Sequence, residues 1–160
     1  MLLFVGIEKD IHQNKFTSER QKAMINLLYT YGWVIEKIKF FLAKEDITHQ
    51  QFNILRILRG NYPKPLSTLQ IRERMLDKMS DTSRIVDRLV IKGLVKKTIC
   101  PGDKRLVDVL ITEKGQKLLK KLDAGADPVV EIMGSLSEKE AETLSVLLDK
   151  LRNGKEESAN

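Results

Sequence analysis

At 160 residues, with 42% hydrophobic and 31% charged residues, the chain has the size and make-up of an ordinary folded domain, which excludes a disordered polymer. Its single cysteine, Cys100, excludes an intramolecular disulfide framework and points to a reducing, cytoplasmic compartment. The net charge of +6 is concentrated: between Lys64 and Arg105 eleven cations stand against five anions, so that stretch holds the whole excess and is where a polyanion would be met.

The start, Met1 to Ile7, is apolar but has no basic leader and no small-residue cleavage site, so no signal peptide is expected, and no run is long enough to span a membrane. After a polar lead, Ser18 offers a helix cap. Met24, Leu27, Leu28, Tyr31, Val34, Ile35, Ile38, Phe41 and Leu42 then recur at three- and four-residue steps, which predicts a long helix to about Lys44. Thr48-His49-Gln50-Gln51 reads as a capping box opening a second helix, with Phe52, Ile54, Leu55, Ile57 and Leu58 as its apolar set, and Gly60-Asn61-Tyr62-Pro63 ends it.

Ser67 and Gln70 form a further capping box, with Leu66 and Ile71 at staple spacing, so a short helix is expected from Ser67 to near Met75. Ser80 is the cap candidate for the next helix, from about Asp81 to Lys92, and Gly93 is its stop. That helix is two-faced: Ile85, Val86, Leu89 and Val90 make an apolar stripe, while Asp81, Arg84 and Arg88 lie on another face. Leu94 to Cys100 and Leu106 to Ile111 read as strands. A five-residue turn, Pro101-Gly102-Asp103-Lys104-Arg105, would join them and project Lys104 and Arg105 at its tip. Thr112 caps a helix carrying Leu118, Leu119 and Leu122 that Pro128 breaks or kinks; Ser137 and Glu140 open a last helix with Ala141, Leu144, Leu147, Leu148 and Leu151; Gly154 begins a frayed tail.

Two short helices followed by a hairpin is the order of a winged helix-turn-helix. The run Ser80 to Leu89, then Lys92-Gly93-Leu94-Val95, Asp103-Lys104-Arg105 and Ile111-Thr112-Glu113-Lys114-Gly115 resembles the recognition helix, wing and following helix of the MarR-type transcriptional regulators. It departs from the common pattern at Thr82, where a bulky apolar residue often precedes the Thr-Arg pair, and at Ile111, where Leu is usual. The first departure leaves the bases read by this chain its own matter.

The resemblance covers nearly the whole chain. It implies a mainly α fold with a small β-hairpin wing: a winged helix-turn-helix domain over 48–112, an N-terminal lead and dimerisation helix over 1–47, and C-terminal dimerisation helices and tail over 113–160. The expected function is a homodimeric, sequence-specific DNA-binding regulator, most simply a repressor, on a pseudo-palindromic duplex. The alternative is a winged-helix protein-interaction module without specific DNA binding. Small aromatic or anionic effectors bind many relatives, and Tyr29, Tyr31, Trp33, Phe52 and Tyr62 come from segments that could border such a cleft, although aromatic residues at helical spacing are more often core.

The candidate DNA contacts follow from chemistry and position. Arg84 and Arg88, four residues apart, suit guanine O6 and N7 in a major groove, against the plainer reading that they pair with Asp81 and Asp87. Ser80, Asp81, Thr82 and Ser83 occupy the first turn of that helix, where hydroxyls and amides hold phosphate or a base edge, and capping is their alternative role. Lys104 and Arg105 would enter the minor groove or grip phosphate; the resemblance gives the minor-groove role to Arg105, with Asp103 holding it. Lys92, with Lys96 and Lys97, and Ser67, Thr68 and Gln70 are candidate backbone contacts. No catalytic constellation emerges: His12 and His49 are the only histidines, no zinc-ligand spacing or glycine-rich phosphate loop exists, and no cofactor is implied.

Overall fold

In the computed structural model, residues 6–100, 103–125 and 127–154 are described, with the side chains of 99, 100 and 103–106 outside that description. The chain divides into two compact units, Met1–His49 and Gln50–Asn160. The first holds a short helix α1 (Ile7–Asp10), the long helix α2 (Glu19–Leu42) and a 3-10 turn (Ala43–Glu45). The Ser18 side chain accepts the Gln21 amide at the start of α2, as its spacing predicts. The helix ends two residues short of Lys44, and Asp46 follows in the left-handed region. Met24, Leu28, Tyr31 and Phe40 on α2 are exposed.

Helix α3 (His49–Asn61) leads into the second unit, which continues with β1 (Leu66–Ser67), α4 (Thr68–Arg74), α5 (Thr82–Ile91), β2 (Val95–Cys100), β3 (Asp103–Ile111), α6 (Glu113–Asp123), α7 (Pro128–Met133) and α8 (Glu138–Asn153). Its core is built from the apolar stripes of these elements: Ile54, Leu55 and Leu58 from α3, Ile71 from α4, Val86 and Leu89 from α5, Val95, Val109 and Ile111 from the strands, and Leu119 and Leu122 from α6. The mainly α fold with a small β wing is therefore as the sequence predicts.

The sheet has three strands in the order β1-β3-β2, one more than the expected ribbon. Leu66 pairs with Val109 and Ser67 with Asp108, so the residues before α4 satisfy the free edge of β3 before the helix begins. The hairpin also differs from expectation. Its register runs evenly from Val95↔Ile111 to Ile99↔Val107, then jumps to Cys100↔Asp103, so β2 advances one residue while β3 advances four. Lys104 and Arg105 thus belong by their backbone to a bulge of β3 rather than to a five-residue turn, because pairing of Cys100 with Asp103 closes the ladder nearer the end.

Pro128 begins α7 at its first turn, and the preceding helix has already ended at Asp123. At the start of α8 the Ser137–Glu140 capping box is formed in both directions. No residue of α8 is buried, and Leu144, Leu147 and Leu151 form an exposed apolar stripe along it.

Candidate nucleic-acid interface

The ends of helix α5 are fixed by two local caps and one distant side chain. Its N-cap is Asp81, whose Oδ1 accepts the Arg84 amide at 3.1 Å; Ser80, the expected cap, instead donates its hydroxyl to Asp77 Oδ2 at 2.5 Å. A carboxylate at this end also meets the positive pole of the helix, which favours Asp over Ser there. At the other end Gly93, with φ of +70°, donates to Val90 O at 2.8 Å while Leu94 donates to Leu89 O at 3.0 Å, a Schellman closure with buried Leu89 and Leu94 beneath it. Lys114 from α6 adds a cation at the negative pole: its Nζ donates to Lys92 O at 2.8 Å.

The wing root and α6 lock together beside this stop. Thr112 donates its hydroxyl to Gly93 O at 2.7 Å and accepts the Gly115 amide at 3.2 Å. Gly115 is required by space, since a Cβ there would fall 2.3 Å from Leu94 O.

Between the caps, α5 divides cleanly. Thr82, Val86 and Leu89 stand at i, i+4 and i+7 and are buried. Arg84, Arg88 and Ile91 repeat the same spacing on the opposite, exposed side. Thr82 is thereby corrected as a side-chain contact: only 5% exposed, it directs its hydroxyl to Met75 Sδ at 3.4 Å. The spacing with Val86 and Leu89 was the signal that placed it inside.

The guanidinium groups of Arg84 and Arg88 have no hydrogen-bond or ion-pair partner among the described residues. The two carboxylates that could have neutralised them are engaged elsewhere, Asp81 as the cap and Asp87 in an ion pair with Lys97 of β2. Ser83 is exposed beside them. At the start of α4, Ser67 Oγ accepts the Gln70 amide at 3.2 Å and Gln70 Oε1 accepts the Ser67 amide at 2.9 Å, with Thr68 half-buried. Lys92 is half-buried at the end of α5, and the side chains of Lys104 and Arg105 lie outside the described residues. Sequence reading passed over Arg72, exposed on α4, and Lys114, which ties α6 to the helix; Lys97, expected as a backbone contact, is found in an ion pair with Asp87 that ties the wing to the helix. The partners of Lys97 and Lys114 lie 10 and 22 residues away, beyond any local pattern.

Among the described residues no group of three His, Cys, Asp or Glu could hold a metal, and no helix is long and apolar enough to cross a membrane. A capped helix presenting unpartnered arginines, preceded by a short helix and followed by a hairpin, defines a winged helix-turn-helix protein. The family model described as MarR family matches residues 47–107. The multiple antibiotic resistance protein MarR of Escherichia coli is 30% identical over 113 residues, 69% of this chain and 77% of that protein. A MarR transcription factor from Planctomyces limnophilus is similar in structure, with 34% identity, a TM-score of 0.63, and coverage of 84% of this chain and 98% of that one. A mutant E. coli MarR complexed with operator DNA shares 25% identity at a TM-score of 0.73, over 86% of this chain and 99% of that one. The chain belongs to the MarR family; it is a DNA-binding transcriptional regulator and not an enzyme.

Proposed function

We propose that this regulator is a cytoplasmic homodimeric repressor that reads a pseudo-palindromic duplex with α5 in the major groove. The observation that carries the reading is the pair Arg84 and Arg88, exposed and unpartnered on the outer face of a helix whose inner face is buried and whose two ends are capped. Arginine is the side chain whose planar fork matches guanine O6 and N7, and because the fork is pre-organised less freedom is lost per hydrogen bond formed. Ser83, with Ser80 before the cap and Ser67, Thr68 and Gln70 at the start of α4, would orient the head on the phosphates, and Asp81 would act there through its backbone and the cap that fixes the first turn. Lys92 is a further backbone contact, and of the two wing cations Arg105 would enter the minor groove and Lys104 the groove or a phosphate. The relative complexed with operator DNA supports the same partner here.

The dimer reading rests on apolar surface. Residues 1–47 and 113–160 flank the reading domain over 48–112, and both α2 and α8 carry exposed apolar side chains that a second copy would cover. Two-fold pairing sets the recognition helices about one DNA turn, roughly 34 Å, apart. A small aromatic or anionic effector that binds better to a copy whose heads are wrongly spaced would release the DNA by shifting that equilibrium.

Selection from a random duplex pool, followed by anisotropy titration at several salt concentrations and sedimentation of the free protein, tests the reading. Convergence on an inverted repeat, a steep salt slope and a dimeric mass are the expected results. Weak, salt-labile binding with no preferred duplex would overturn it.

A further inference from the structure

The connection between α4 and α5 carries two side chains that neither helix explains. Leu76 is 87% exposed and Met79 94% exposed, within four residues of each other, while Met75 beside them is buried. A single surface hydrophobe needs no explanation. These two differ because the backbone that carries them is pinned from several sides. The Leu76 amide donates to Asn53 Oδ1 on α3 at 3.0 Å, the Met79 amide donates to Asp77 Oδ1 at 3.0 Å, and Ser80 donates to Asp77 Oδ2. Lys78 reaches back to the Glu73 carbonyl, and Thr82 anchors on Met75 below. The turn therefore holds its apolar side chains out in a fixed place instead of folding them inward.

We infer that this turn is an apolar base-reading element, in which Met79, with Leu76 beside it, packs on the C5 methyl of a thymine in each half-site. The inference rests on the DNA-binding reading above and extends the same surface. Met79 lies two residues before the N-cap of α5, at the end of a recognition helix that approaches base edges, and cations Arg74 and Arg84 stand on either side of it in sequence. Basic flanks favour a polyanion as the occupant, and the thymine methyl is the apolar group that a major groove offers. An unbranched thioether with three rotatable bonds adapts its shape to such a methyl.

The test uses the duplex selected by the full-length wild type, with each thymine replaced in turn by deoxyuridine, which removes the methyl alone. Anisotropy titrations compare wild type, Met79→Ala, Leu76→Ala and Met79→Leu. One or two replacements per half-site should weaken the wild type about three- to tenfold. Met79→Ala should lose a similar factor on the thymine duplex and become indifferent to those replacements, with Met79→Leu restoring most of the sensitivity. Both truncations remove exposed atoms, so unchanged thermal midpoints should accompany these losses. Full wild-type affinity in both alanine variants overturns the inference and leaves the pair to a protein partner; so does a methyl effect of equal size in wild type and Met79→Ala. A wild type with no preferred duplex at all overturns the DNA-binding reading itself, an outcome distinct from either.

Discussion

Four arginines of the second unit stand in two pairs at helical spacing, and their surroundings part them. Arg56 and Arg59 on α3 converge on one carboxylate, Asp123 at the end of α6, at 3.3 and 2.5 Å, and the Arg56 guanidinium also lies over the Phe52 ring at 5.7 Å. Arg84 and Arg88 on α5 have carboxylates nearby in sequence at Asp81 and Asp87, yet neither guanidinium pairs with them: Asp81 takes only the Arg84 backbone amide, and Asp87 pairs with Lys97. The first pair fastens one helix to another. The second is left with its full charge facing outward, because a helix cap and a lysine on the wing have already engaged the neighbouring acids. What gives an arginine its role here is the prior engagement of the acids around it.

The comparison can be broken by substitution. The largest effect is expected at the free pair: Arg84→Ala should lose about 1–3 kcal/mol of operator binding, roughly five- to 150-fold, with a thermal midpoint close to wild type. Equal losses on all duplexes, selected or random, would reduce Arg84 to a phosphate contact. Next comes the cap that sets the free pair in place. Asp81→Ala should cost about 1 kcal/mol of stability in a denaturant titration and also weaken operator binding, whereas Asp81→Asn should retain most of both.

At the fastened pair the effect is smaller. Asp123→Ala should cost less than about 1 kcal/mol, because the partners are half exposed, and leave operator affinity unchanged. An affinity loss there exceeding that of Arg84→Ala would reverse the roles assigned to the two pairs. Smallest is a titration remote from both. The hydroxyl of Ser137, and then its amide, hold the Glu140 carboxyl below its ordinary 4.5. A carboxylate depressed on folding contributes stability above its unfolded pKa and loses it as the pH falls through the folded one. Melting followed by circular dichroism should thus show α8 weakening in acid below about pH 4.5, with a shallower acid limb in Glu140→Gln.

Much of this could be read from the chain itself, because the signals are local. Capping boxes at Ser67 and Ser137, the cap at Ser18 and the glycine stop at Gly93 are properties of four to six consecutive residues, and each formed where its residue types dictate. The apolar periods of α3, α5 and α6 likewise gave core faces that are buried. Where reading by neighbours failed, a competing local partner or a distant one decided. Ser80 lost the cap to Asp81 because Asp77 could take its hydroxyl, and Thr82 turned inward because it shares a face with Val86 and Leu89.

The sequence by itself determined the order of elements, the basic stretch between Lys64 and Arg105, and the placing of Arg84 and Arg88 on the outer face of one helix, since helical period and caps depend only on residues within a turn or two of each other. Only the tertiary structure decided which charges are free and how the wing is closed. Those depend on contacts such as Lys97 with Asp87, Lys114 with the Lys92 carbonyl, Asn53 with the Leu76 amide and Leu66 with Val109, which join residues 10 to 43 positions apart. No local pattern encodes which of several acids or edges a distant side chain will reach; packing of the whole unit does.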